Sequence, residues 1–353
     1  MDPSLSLLKY QNSFTQGLSN KLSPLITYQS SSTIHFTPSF ITHKLKPVTS
    51  NNPVSDQSDI INKEDNVFND IGNSIFIHHD AIVLANIDSV ANLLKLNFGF
   101  ALKSTPDPGF TYVIIDGSPG GFVEYIQYRR PNSKGYGINN NSSDWDFNHI
   151  NIESFIPLNN MNDLFTNWKS YISDILDDNI TGVNLILANY PPLYKDDSVP
   201  LIIQTIIGLQ CSSQDFLLRS IDTTSLISQQ ILYLLSKCFK SLSIIKPIST
   251  SPLSSECYII CQNIKAYKTV SPYIDLLSNS LIKIDYPRTT ITSLYKNNIP
   301  KDFTSWLSSQ NNLIDQYQQN FVDGVYNHTD YIINKALVIW NLPDNIDPLM
   351  LNI

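Results

Sequence analysis

Between Thr111 and Lys265, apolar runs of strand length alternate with segments of helical periodicity, and no other feature of the chain constrains the fold as much. TYVIIDG, KGYGI, VNLILANY, DFLLRSI, SLSIIKP and SECYIICQNIK read as buried strands. GFVEYIQYRR, NDLFTNWKSYISDILDD, VPLIIQTIIGLQ and TSLISQQILYLLSKCF read as helices between them. Ahead of the first strand, DAIVLANIDSVANLLKL from Asp80 predicts an amphipathic helix packed on a sheet. Such an order implies a parallel sheet with helices on both faces, an α/β Rossmann-like architecture.

The flanks differ. Residues 1–70 are rich in Ser, Thr, Asn and Pro with short apolar islands, and read as an extension laid on the domain and partly mobile. Residues 71–265 form the domain, and 266–353 read as a helical C-terminal extension. The formal net charge of −8 is the wrong sign for gripping long stretches of phosphate backbone, so any nucleic-acid contact should be short and local. Cys211, Cys238, Cys257 and Cys261 have no paired spacing, the six histidines fall in no ligand pattern, and no metal site is expected. Reduced core thiols and a His78-His79 loop pair are the simpler readings. No apolar run reaches the roughly 20 residues that span a bilayer, and no signal peptide is evident, so a cytoplasmic or nuclear protein is expected.

The sharpest local signal lies where the first strand ends. Val113-Ile114-Ile115-Asp116-Gly117-Ser118-Pro119-Gly120-Gly121-Phe122 is a strand running into a glycine turn that opens a helix. Glycines let the backbone approach a ligand, and exposed N–H groups at a helix start favour an anionic group. A plain tight turn would use the same residues. Position favours a ligand site, because doubly wound sheets bind beyond the carboxyl ends of their strands.

These residues, with others, resemble the FtsJ-type cap-specific mRNA 2'-O-methyltransferases. SPGGFVEYIQYRR is similar to the family's first motif and its helix, Leu185-Ile-Leu-Ala-Asn189 to the strand that ends in an acidic turn, and Lys246-Pro-Ile-Ser-Thr-Ser-Pro-Leu-Ser-Ser-Glu256-Cys-Tyr to its long Lys-Pro to Ser-Glu block. The resemblance covers about 78–265. It implies an S-adenosylmethionine-dependent methyltransferase fold, with Asp116, Gly117, Ser118, Pro119, Gly120, Gly121 and Phe122 at the cofactor and Arg129, Arg130 and Lys134 as candidate RNA contacts. Capped mRNA, or other proteins of a capping or processing complex, are the implied partners. Asn189-Tyr190-Pro191-Pro192 is also similar to the Asn-Pro-Pro turn of amino-methyltransferases, although Tyr190 separates the Asn from the prolines.

The family's Lys-Asp-Lys-Glu tetrad falls on Val83, Asn189, Arg219 and Glu256, where only the glutamate is kept. A ribose hydroxyl is a poor nucleophile and needs a lysine of depressed pKa to take its proton. Val83 has no donor, Asn189 no charge, and Arg219 cannot become a neutral base. Lys95 and Lys103 are badly placed to substitute, and the family's acid at the end of the first strand falls on Ile114. The expectation is a pseudo-methyltransferase that binds RNA, a cap or a protein partner. An active enzyme with a rearranged base and a purely structural subunit are the alternatives.

Overall fold

The computed structural model describes residues 38–44, 76, 78–95, 109–139, 145–158, 164–189, 198–220, 222–252, 254–282, 284, 289–296, 298–322, 336, 337, 340 and 342. Apart from strand β1 (Pro38–Lys44), the extension 1–70 lies outside these, as does Lys103. Seven strands form the main sheet, in the order β4-β3-β2-β5-β6-β8-β7. They are β2 (Thr111–Ile115), β3 (Lys134–Ile138), β4 (Phe155–Pro157), β5 (Val183–Ala188), β6 (Ser212–Ser220), β7 (Phe239–Ile245) and β8 (Cys257–Ile264).

Every strand expected from the alternation is present, but the sheet is mixed. β8 pairs antiparallel with both β6 and β7. The reason lies in the connection: only residues 246–256 link β7 to β8, with no helix to carry the chain back, whereas a parallel return needs a crossover of a dozen residues or more. β4 was not expected, being three residues long.

Residues alternate between the two faces of each strand. Val113, Ile186 and Leu218 enter one core together with α3 (Leu164–Asp178), α4 (Val199–Cys211) and α5 (Leu226–Cys238). Ile114, Leu187 and Leu217 face a second core covered by α1 (His79–Ala91) and α2 (Gly121–Arg129). α1 is not the amphipathic helix its sequence suggests, since Ala81 to Asp88 are buried without a break. Its two polar members are satisfied internally: Asp88 accepts from the Leu94 N–H at 2.9 Å and from the Tyr125 hydroxyl at 3.1 Å, and Asn86 accepts from Ser249 Oγ at 3.4 Å.

Nor is the region after residue 265 wholly helical. Between α6 (Tyr267–Ser280) and α7 (Lys301–Val322), β9 (Thr289–Tyr295) pairs antiparallel with β1 as a separate two-stranded sheet. Buried amides and hydroxyls hold β9 to the helices. Gln230 donates to the Tyr295 carbonyl at 2.9 Å and accepts from the Leu294 N–H at 2.7 Å, while Ser198 Oγ donates to the Ile291 carbonyl at 2.6 Å. Ile291, Leu294, Phe303 and Leu307 complete the first core, so these elements are part of its packing.

Candidate functional site

The strand order reverses between β2 and β5, which makes their carboxyl ends the switch point of the sheet. Asn189, the residue after β5, bridges the two: its N–H donates to the Ile115 carbonyl at 2.9 Å and its Nδ2 to the Asp116 carbonyl at 3.1 Å. Ala188 pairs with Leu218, so Asn189 and Arg219 stand side by side one step further on; Arg219 in turn pairs with Tyr258 on β8. All three continue the strand positions that face α1.

Three of the four matched positions thus lie together. Arg219 Nη2 donates to Glu256 Oε2 at 3.1 Å, and the Tyr258 hydroxyl donates to Glu256 Oε1 at 2.8 Å. Burial opposes the Arg219 charge, but Glu256, Tyr258 and Asp80 outweigh it and hold its pKa above the ordinary value. Val83 retains 2% exposure within the apolar core of α1. What α1 sends to the site is Asp80, one turn earlier on the same face, a residue the sequence reading passed over. Burial raises its pKa, against the pull of Arg219 and with the push of Glu256.

Lys246 is the other residue the sequence left unassigned. It is 1% exposed, and burial lowers its pKa to about 8, opposed by Glu256. Its ammonium donates to the Ser251 carbonyl at 2.8 Å, the Ser254 carbonyl at 3.0 Å and Ser254 Oγ at 2.7 Å, which uses all three N–H groups. The loop 246–256 is also pinned from outside, by His79 Nε2 at the Ser249 carbonyl (2.7 Å) and by Gln318 Nε2 of α7 at the Ser254 carbonyl (2.8 Å). The long block that carried the resemblance is therefore a bolted loop that delivers Glu256.

At the end of β2, Asp116 (φ 57°) and Gly120 (φ 131°) take left-handed backbone, and the Ser118–Pro119 peptide is cis. A Cβ on Gly120 would lie 2.1 Å from Ile150 Cδ1, one on Gly121 2.9 Å from the Ala81 nitrogen, and one on Gly117 2.2 Å from Ile114 Cγ2. Ile150 is held there by its own segment: the Asp146 N–H donates to the Pro119 carbonyl at 2.9 Å, and Asp146 Oδ2 meets His149 Nδ1 at 2.8 Å and His78 Nε2 at 3.5 Å. The glycines thus serve close packing within the chain, and Ile114 supplies no carboxylate. Of what the resemblance implies for S-adenosylmethionine, the turn keeps Gly117, Gly120 and Gly121 and lacks the carboxylate at Ile114.

The three candidate RNA cations have partners inside the chain. Arg130 donates through Nε to the Leu94 carbonyl at 2.9 Å and lies over the Phe110 ring; Arg129 lies over the Tyr125 ring; Lys134 meets Asp178 Oδ2 at 3.3 Å. Lys95 is 2.5 Å from Asp215, near the opposite end of β6 from Arg219. The four cysteines are free and buried. Among the described residues no group of His, Cys, Asp or Glu could hold a metal ion, and no helix is long and apolar enough to cross a membrane.

A seven-stranded mixed sheet with a glycine turn at its switch point is the Rossmann-like fold of S-adenosylmethionine-dependent methyltransferases. Residues 93–264 match the family model described as FtsJ-like methyltransferase. It is 27% identical over 298 residues to the cap-specific mRNA (nucleoside-2'-O-)-methyltransferase 1 of Dictyostelium discoideum, covering 72% of this chain and 38% of that protein. The Drosophila melanogaster protein of the same name is 26% identical over 220 residues, covering 56% and 28%. The chain thus spans well under half the length of these relatives. Human methyltransferase-like protein 13 in complex with SAH matches with a TM-score of 0.34 at 13% identity, over 59% of this chain and 93% of that one.

Proposed function

We infer that this chain, a cap 2'-O-methyltransferase-like protein, has lost methyl transfer and serves as an RNA-binding, cap-binding or scaffolding subunit in mRNA capping or processing. The observation that carries this reading is the closed Arg219–Glu256 pair at the position where a proton acceptor is required. A guanidinium does not give up its proton in a protein, and here the Glu256 carboxylate hydrogen-bonded to it holds it charged. Val83 lies in the apolar core, and Lys246 could accept a proton only by abandoning a loop contact. Loss of a general base typically costs about 10²- to 10⁴-fold in rate.

The test is incorporation of labelled methyl into the first-nucleotide 2'-oxygen of a short capped RNA, beside calorimetric titration with S-adenosylmethionine and with that RNA. The reading expects no incorporation and retained binding of the RNA or of a capping protein. Incorporation that Glu256→Ala abolishes would overturn it.

A further inference from the structure

Residues 145–150 cross the glycine turn as a strap. Trp145 and Ile150 are buried against it, while Phe147, Asn148 and His149 between them are exposed. A Cβ on Gly120 would meet Ile150 Cδ1 at 2.1 Å and Trp145 Cε3 at 3.7 Å, so these two side chains fill the space that the glycine leaves open. Asp146 fastens the strap. Its N–H donates to the Pro119 carbonyl at 2.9 Å, inside the turn. Its Oδ2 then faces two histidines, His149 Nδ1 of the strap at 2.8 Å and His78 Nε2, just ahead of α1, at 3.5 Å. Its Oδ1 accepts from the Asn148 N–H at 3.2 Å. His78 stands in turn against α2: its Cβ is 3.0 Å from where a Cβ on Gly121 would lie, and its N–H donates to Glu124 Oε2 at 3.4 Å. One carboxylate thus ties the strap to the glycine turn and to the start of α1.

We propose that residues 145–150 are a pH-sensitive strap over the glycine turn, latched through Asp146 to His78 and released when His78 takes a proton. Asp146 and His149 of the strap and Asp80 of α1 act on the His78 ring; Glu124 of α2 meets its backbone, and His79 turns away to the Ser249 carbonyl. Burial disfavours the charged imidazole and lowers the His78 pKa from 6.5, against the pull of Asp146 and Asp80 and with the push of His149. With the strap lifted, water replaces that burial and the ring takes its proton more readily. The His78 contribution to closure is therefore complete above 6.5 and is lost as the pH falls through the lowered value. Asp146 acts in the same direction at lower pH, because the His149 hydrogen bond holds its carboxyl below the ordinary 3.8. A loop that merely packs on the turn through Trp145 and Ile150 would be indifferent to protons. No cofactor or methyl transfer enters this device, so it stands or falls apart from the loss of methyl transfer.

The experiment is amide hydrogen exchange of the intact protein at about pH 7 and about pH 5.5, read by NMR as protection factors, which remove the intrinsic pH dependence of exchange. The Asp146 N–H, held by Pro119, reports the strap; the Glu124 N–H, held by the Gly120 carbonyl at 2.9 Å, reports the helix beneath it. On acidification the Asp146 protection should fall by about threefold or more while that of Glu124 holds. Asn is favoured at the residue before a helix, so His78→Asn keeps α1 and removes the titrating ring. In that protein the Asp146 amide should be equally protected at both pH values. Unchanged or stronger Asp146 protection at the lower pH in the wild type overturns the proposal, as does a His78→Asn protein that keeps the loss. A parallel fall at Glu124 would place the acid effect in the whole fold and overturn it too.

Discussion

Arg219 on β6 and Glu256, the loop residue just before β8, meet through one hydrogen bond of 3.1 Å, with side chains 29% and 18% exposed. This exposure lies between a surface pair, worth about 0–1 kcal/mol, and a buried one, whose breaking costs about 3–5 kcal/mol. Arg219→Met should therefore destabilise the fold by about 1–3 kcal/mol, because it leaves Glu256 and Asp80 without their cation. Urea denaturation of the two proteins measures this. A difference under about 0.5 kcal/mol would mean that solvent already screens the pair.

Gly120 carries a backbone angle that side chains rarely adopt, and Ile150 fills the space beside it. Gly120→Ala should cost stability on both counts, by about 1–3 kcal/mol. Adding Ile150→Ala to it should relieve the collision but not the backbone strain. The double variant should then be less destabilised than the sum of the singles, read from a thermodynamic cycle. Strict additivity would place the whole cost in the backbone.

Burial holds the Asp80 pKa above its ordinary 3.8. For an acid whose pKa is raised on folding, the stabilising contribution is complete below the unfolded value and is lost as the pH rises through the folded one. Asp80→Asn should therefore raise Tm at pH 7 and give no gain near pH 3. Thermal melts at the two pH values decide the matter, and equal shifts at both would show that charge is not the cause.

Lys246 has the opposite sign. Burial lowers its pKa from 10.5 to about 8, so its contribution is complete above 10.5 and is lost as the pH falls through about 8. The Lys246 contribution to stability should rise between these values, against the opposite slope of the four buried cysteines, whose pKa values burial raises. Lys246→Met removes that rising contribution, so stability measured by urea denaturation should fall more steeply with pH in the variant than in the wild type, Lys237 and Lys265 contributing equally to both. An unchanged slope would show that Lys246 does not titrate in this range.

The strands and helices were legible because their signals are local. Two periodicities, 3.6 for helices and 2 for strands, are written in neighbouring residues, and TYVIIDG or TSLISQQILYLLSKCF needs no partner to be read. The Lys246 to Glu256 block was legible for a related reason. A loop whose serines and backbone carbonyls are tied to Lys246, His79 and Gln318 tolerates few other residues. Local patterns failed where the outcome depended on what lay across the fold. α1 has polar residues at Asn86 and Asp88, and their burial followed from Ser249, Leu94 and Tyr125, which lie elsewhere in the chain.

The chain's own pattern determined an α/β sheet, a glycine turn at its first strand and the absence of a lysine at positions 83 and 219. Tertiary structure alone decided that β8 runs antiparallel, since that depends on the short route back from β7. It likewise decided that Ile150 closes on Gly120 from thirty residues away, and that Asp80 rather than Val83 faces Arg219 and Glu256. Hydrophobic periodicity reports which side of an element is buried; which side chains then share an edge is set by strand order and register, and these are properties of the assembled sheet.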